Sequence, residues 1–439
     1  MAMSIRSSLA GLVRRMPFGI GTVTMLLVAA MVASVAAILA IGTPADNSTE
    51  YRDGHLRGYA TEPDVAWTQS SDTLPGYRAD SGVEVVDTWR DEWLLAYPSG
   101  LGRAFVLVNA RAGSPLWKDP VVAGLGGCGL NDLGQVGCAI KLGGVPDGFY
   151  LIDDTGTPTS GTDLDDTEHV VGVGTDYLRI DQAGYRATLR DPTGREIWSR
   201  TFAASAQART RPDGVLIVST ADGTRFVLDP ATGADRLSCS QCDITSFDTG
   251  ITVQYNEFGR ERVATYAVTE GDVQTPPVAV SDGLRVLGGK STLPVLTGTG
   301  DGQVQATQGR YEIRDPARED ALWQITDPEL SKANTKPCGT EVAFALKDRT
   351  RLFYTLADGK RIGRMDPPAF DRPESNIDHL SCVGSSGTTM IFADSDQVTA
   401  IDTTTGQISW TRSVIGTTEA VDGYLVLHEG TSITVLRPH

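Results

Sequence analysis

The chain has 439 residues, including 48 glycines and 22 prolines, and a formal net charge of −17. That acidity excludes nucleic acid as a ligand, because phosphates would be repelled, and it argues against docking on anionic lipid heads. The charge is unevenly placed: residues 1–18 carry Arg6, Arg14 and Arg15 and no acid, and every acid follows.

From Ile20 to Ile41 no residue is charged. A helix of that length, at about 1.5 Å per residue, reaches roughly 33 Å and spans a hydrocarbon core of about 30 Å. The segment therefore reads as one transmembrane helix over 20–41. The arginines before it put a cytoplasmic tail at 1–19 and export the remainder. A cleaved signal peptide is the alternative, left open by the small residues near Pro44 and Ala45, although the apolar run is long for one. A lipoprotein needs a cysteine directly after the run, and the first is Cys128. Residues 42–62 are polar, with Pro44, Gly54 and Gly58, and read as a linker.

All six cysteines, Cys128, Cys138, Cys239, Cys242, Cys338 and Cys382, lie after the apolar segment. An even number confined to the exported part fits disulfides in an oxidising compartment. Chain order suggests Cys128–Cys138, Cys239–Cys242 and Cys338–Cys382, among the many pairings that six cysteines allow. The C-S-Q-C of 239–242 has two rival readings, a redox pair and half a zinc site. The first should open a helix after a strand, yet turn residues surround it. The second lacks a matching pair of ligands.

From about Pro63 onward one pattern recurs. A short alternating strand ends in Asp or Asn, a glycine turn follows, and the next strand carries a bulky apolar anchor. Asn109 with Gly113 and Trp117, Asp229 with Gly233 and Leu237, and Asp402 with Gly406 and Trp410 share one spacing. Asp315 with Trp323 lacks the glycine, and Asp191 with Gly194 and Trp198 is shorter by one. Weak copies start at Asp153, near Ala267 and at Asp358. An Asp or Asn side chain closes such a turn on its own backbone, and glycine supplies the positive φ. The anchor then covers the neighbouring sheet.

Steps of 38 to 48 residues between copies, filled by short strands, describe propeller blades. Helical periodicity is nearly absent, and the longest candidate, Pro328 to Ala333, is about one turn. The last segment, Tyr424 to Leu436, offers two strands of a blade, and Pro63 to Trp67 offers a missing outer one. Pairing them would close the ring and remove free edges. The expectation is an all-β propeller over 63–439 of about eight four-stranded blades, with a range of seven to nine. Eight motifs and the composite blade would make nine, but the copies near 153 and 267 are weak.

The run Ala400 to Trp410, A-I-D-T-T-T-G-Q-I-S-W, resembles the PQQ-like repeat of quinoprotein dehydrogenases and of BamB-type propellers in bacterial envelopes. The resemblance covers most of 63–439 and implies an eight-bladed propeller, usually a binding platform when enzyme residues are missing. For the dehydrogenases it implies a vicinal disulfide near the cofactor, a calcium held by Glu and Asn, and a catalytic Asp. This chain has no adjacent cysteine pair, so neither the quinone nor a metal is assigned.

Other chemistry is sparse. His55 lies in the linker, His439 ends the chain and His428 sits in a strand pattern. His169 and His379 have acids nearby, Asp166, Glu168 and Asp378, but no serine stands in a nucleophile elbow. Asp153, Asp154, Asp163, Asp165, Asp166 and Glu168 read as a solvated acidic loop rather than an EF-hand. Gly124 to Gly129 reads as turns and close strand packing. The expected function is a non-catalytic scaffold without cofactor. It would be single-pass in the cell membrane through Ile20 to Ile41 and bind an envelope protein or peptide on its loop face, with no nucleic acid. A quinone-dependent or other envelope enzyme and an extracytoplasmic ligand sensor are the alternatives.

Overall fold

Short strands with one apolar face must stack on neighbours to hide that face, and stacking around an axis does so without leaving a terminal face exposed. The computed structural model shows this arrangement. It describes residues 54–78, 82–159, 165–211, 213–298, 309–367 and 379–439, all within one compact unit, Ser48–His439. The tail at 1–19, the expected transmembrane helix at 20–41 and residues 42–53 of the expected linker lie outside the described residues. Among those described, no helix is long and apolar enough to cross a membrane. Among the described residues, 3-10 turns lie at Ser71–Thr73 and Pro328–Lys332.

Nine sheets are described, in one sequence around the ring. We number the blades 1 (84–124), 2 (128–159), 3 (167–201), 4 (206–240), 5 (243–282), 6 (284–326), 7 (334–365), 8 (381–413) and 9 (417–436 with 65–70). Nine is one more than the weak copies suggested: the motifs at 153 and 267 each belong to a full blade. Blade 9 is the composite. Val65–Ser70 runs antiparallel to Ser432–Leu436, with Trp67 opposite Val435. Backbone N–H groups of Arg437 and His439 donate to the carbonyls of Asp64 and Gly58 at 2.7 and 2.8 Å, completing the latch.

Apolar clusters lie between successive blades. Each of the nine interfaces has its own, from Leu94, Phe105, Trp117 and Ile140 between blades 1 and 2 to Trp67, Trp93, Tyr424 and Ile433 between blades 9 and 1. The smallest lie between blades 2 and 3 and between blades 5 and 6. There the fourth strand is reduced to Pro158–Thr159 or split into Asp272–Val273 and Ala279–Asp282, and no anchoring tryptophan is present.

The repeat has a mechanical cause. The Asn109 side chain accepts from the N–H groups of Arg111 and Ala112, and Asp402 accepts from those of Thr404 and Thr405. The glycine then sits under the preceding blade's anchor. A Cβ on Gly113 would lie 2.5 Å from the Trp67 ring, and one on Gly233 would lie 2.6 Å from Trp198. Each indole donates to a carbonyl of the turn it covers: Trp67 to Ala110, Trp198 to Pro230 and Trp323 to Leu356. Glycine is required twice at these turns, for its positive φ and for the space.

Residues 54–62, expected as linker, are part of the domain instead. Leu56 and Tyr59 are buried in the cluster between blades 8 and 9. The Leu56 N–H donates to Ser385 O, and the Trp410 indole donates to Tyr59 O at 2.8 Å. Blade 9 has chain termini where other blades have the turn between third and fourth strands. Tyr59 takes the place of that turn beneath Trp410.

The three disulfides pair the cysteines in chain order. Cys128–Cys138 joins the first two strands of blade 2. Cys239–Cys242 closes the crossing from blade 4 to blade 5. Cys338–Cys382 staples the innermost strands of blades 7 and 8.

Candidate functional site

Neighbouring strands in each blade are antiparallel, so every connection emerges at one of two ends of the ring. The turns joining strands 1–2 and 3–4 share the turn end. The 2–3 hairpins and the crossings between blades share the loop end.

The turn end is occupied by structural work. Aspartates that close several of its 3–4 turns are held below the usual carboxylate range. The Thr193 hydroxyl donates to Asp191 and, with Arg195, pulls its carboxyl down to about 2. Thr155 lowers Asp153 and Thr404 lowers Asp402 in the same manner. The chain also enters here. Residues 54–56 run beside the innermost strand of blade 8, and His55 reaches Asp248 of blade 5 at 3.1 Å. The strand Lys290–Ser291 leaves blade 6 and pairs in parallel with the innermost strand of blade 7.

The loop end differs. The four most exposed large apolar side chains among the described residues all project from it: Phe258 at 99 %, Ile415 at 83 %, Leu101 at 75 % and Leu142 at 61 %. Phe258 tips a two-residue hairpin between Gly250–Glu257 and Arg260–Thr269, which are long strands for this fold. Its φ is +51°, and that of Leu142 is +60°. Bulky residues rarely adopt this left-handed backbone, and neither contributes to the core. Leu101 tips the equivalent hairpin of blade 1, beside Gly100. Full exposure and an unfavourable backbone together mark side chains retained for something other than folding.

Three cavities run in an arc along the same end. One of 340 Å³ is lined by Arg78, Glu84, Tyr97, Leu101 and Arg103. The next, of 270 Å³, shares Arg103 and adds Val86, Phe105, Cys128, His169 and Gln207. The third, of 430 Å³, shares Gln207 and adds Arg209, Ile217, Ser219, Arg225 and Ile244. Arg78 apart, these lining residues come from blades 1 to 5.

The residues singled out from sequence are dispersed. Cys128 touches the arc and Cys239–Cys242 lies at the loop end, whereas Cys338–Cys382 is a staple. His169 is exposed in the arc and lies 3.9 Å from Glu168. His379 meets Asp394, and His428 meets Glu419 at 2.7 Å, which raises the imidazole's pKa. Asp165 pairs with the buried Arg179 at 3.6 Å. Asp163 and Asp378 lie outside the described residues, and no metal-ligating cluster occurs among those described. A Cβ on Gly126 would meet Ala139 O at 1.9 Å, in keeping with close strand packing. Phe258 and Leu101 were not singled out, although an apolar residue beside glycine between two strands is a legible anomaly, since such turns favour Asn or Asp.

No protein-family model and no curated protein matches the chain. Among solved structures it is similar to BamB from Moraxella catarrhalis, with 14 % identity and a TM-score of 0.41 over 85 % of this chain and 99 % of that one. It is also similar to the computationally designed Ika8 protein, with 13 % identity and a TM-score of 0.37 over 87 % of this chain and 99 % of that one.

Proposed function

We propose that the chain is a membrane-anchored, extracytoplasmic scaffold whose loop end docks a protein of the cell envelope, without catalysing a reaction. The anchor is the apolar stretch Ile20 to Ile41, with the N-terminus cytoplasmic. The observation that carries the docking reading is the gathering of Phe258, Ile415, Leu101 and Leu142 on one end of a rigid ring. That end lies opposite the one where residues 54–56 enter, which leaves it open to a partner. Loops on a stiff frame are where recognition concentrates, and exposed aromatic anchors dominate interface energetics.

The test is site-specific photo-crosslinking in intact cells. A crosslinker at Phe258 or Leu101 should trap a partner of one defined mass, and one at Leu133, exposed at the turn end, should trap none. Leu101→Ser with Phe258→Ser should lower capture at an Ile415 probe by about tenfold or more. Equal labelling from both ends would remove the reading.

A further inference from the structure

Between blades 4 and 5 the apolar cluster extends to the Cys239–Cys242 disulfide at the loop end. Ile217, Val227, Ile244, Ile251 and Val253 fill the interface below. Above them, strand register places Gln207, Ser219, Arg225 and Cys239 in one row across all four strands of blade 4. Arg209 stands two residues further along the innermost strand, opposite Ile217. These side chains, other than Cys239, line the 430 Å³ cavity, with Ile217 and Ile244 as its floor.

The charges at this cavity are unbalanced. Arg225 meets Asp243 of blade 5 at 3.0 Å, and that aspartate side chain is 72 % exposed. Arg209 is exposed and forms no ion pair among the described residues. In a chain of net charge −17, two guanidinium groups facing a single solvent-exposed acid make a local positive site over an apolar floor.

We propose that this cavity receives a carboxylate of the docked partner, from an acidic side chain flanked by apolar residues. The planar guanidinium forks of Arg209 and Arg225 match a carboxylate, and each can donate twice. The Gln207 amide and the Ser219 hydroxyl add neutral donors, while Ile217 and Ile244 receive the flanking apolar groups. Asp243 competes for Arg225, which favours a singly charged ligand over a doubly charged phosphate. The inference rests on the docking reading and supplies its chemistry.

The experiment uses the full chain in detergent micelles and two labelled, end-blocked peptides, Ala-Val-Glu-Val-Ala and Ala-Val-Gln-Val-Ala, followed by fluorescence anisotropy. The Glu peptide should bind at least about tenfold more tightly than the Gln peptide. High salt and Arg209→Gln should each erase that preference, while Arg209→Lys restores part of it. An unchanged thermal midpoint in Arg209→Gln shows that the fold is intact. Equal binding of the two peptides, binding of neither at millimolar concentration, or an undiminished preference in Arg209→Gln would overturn the carboxylate site. Crosslinking at Phe258 that persists in that case leaves docking standing. Glu-selective binding without any crosslinking overturns docking and leaves the carboxylate site.

Discussion

Single carboxyl groups report two opposed environments. In 3–4 turns such as that of Asp191, hydroxyl and backbone donors stabilise the ionised form and hold it down to about 2. Between blades, burial stabilises the neutral form. The Glu341 carboxyl, which accepts from the Thr403 hydroxyl of blade 8, is pushed up to about 7, and Asp87, which accepts from the Leu130 N–H of blade 2, to about 6. The linkage follows from these directions. The turn aspartates contribute stability that is present above their unfolded values and lost as pH falls through their depressed ones. Glu341 and Asp87 contribute stability that is present below their unfolded values, near 4, and lost as pH rises through about 6 to 7. Stability should therefore peak in mildly acidic solution. Glu341→Gln should raise unfolding free energy at alkaline pH by about 1–3 kcal/mol and leave it unchanged near pH 4. A denaturant series across pH checks this, and an unaltered dependence of stability on pH between about 4 and 7 would refute it.

At the scale of the element, a blade is held by what its fourth strand carries. Trp67, Trp117, Trp198, Trp323 and Trp410 each lie in or lead into a fourth strand and cover the next blade or its substitute turn. Where the anchor is missing, polar contacts replace it. Between blades 2 and 3 the Arg179 guanidinium lies 3.6 Å from the centre of the Phe149 ring, and the Asn131 amide donates to Thr175 O at 2.9 Å. Between blades 5 and 6 the Thr249 hydroxyl donates to Asp315, and the Val286 N–H donates to the Gln254 side chain. These contacts bury less apolar surface, and buried apolar area sets local stability. The two seams should open first. Native-state hydrogen exchange should release amides of Thr167–Val173 and Leu284–Val286 before those of Glu92–Ser99, which holds Trp93. Uniform protection around the ring would contradict this account. The weak motif copies at 153 and 267 and the small clusters coincide with fourth strands that are shortened or split and carry no tryptophan.

For the whole molecule the decisive interaction is the latch. Ile433, Val435 and Leu436 are fully buried, and each contributes about 1.5–3 kcal/mol. Together they approach the total stability of an ordinary domain, about 5–15 kcal/mol. Removal of residues 432–439 would strip blade 9 of its third strand, leave Val65–Ser70 unpaired and open the clusters on both sides. The expected result is loss of the single cooperative transition in circular dichroism, whereas removal of His439 alone should lower the midpoint only slightly. A truncated chain that unfolds in one step at the original temperature would show that the ring does not depend on its closure.

Local chemistry was legible from the chain alone. Asp, Gly and Trp at recurring spacing encode a turn and the anchor that covers it, and both act within a few residues or one blade. The same logic made the closing strand legible, since Trp67 without a strand and Leu436 without a partner complete each other. Neighbour relations set by packing were not legible. Residues 54–62 read as a linker because they are polar and rich in turn formers, and only the missing turn of blade 9 gives Tyr59 its place. The count of nine depended on blades whose anchors are gone. The row of Gln207, Ser219 and Arg225 exists through strand register alone, and the gathering of Phe258, Ile415, Leu101 and Leu142 exists through the common end at which antiparallel hairpins emerge. A repeat determines its own turns by local hydrogen bonding and steric fit, while a surface assembled from many repeats is decided by closure of the ring.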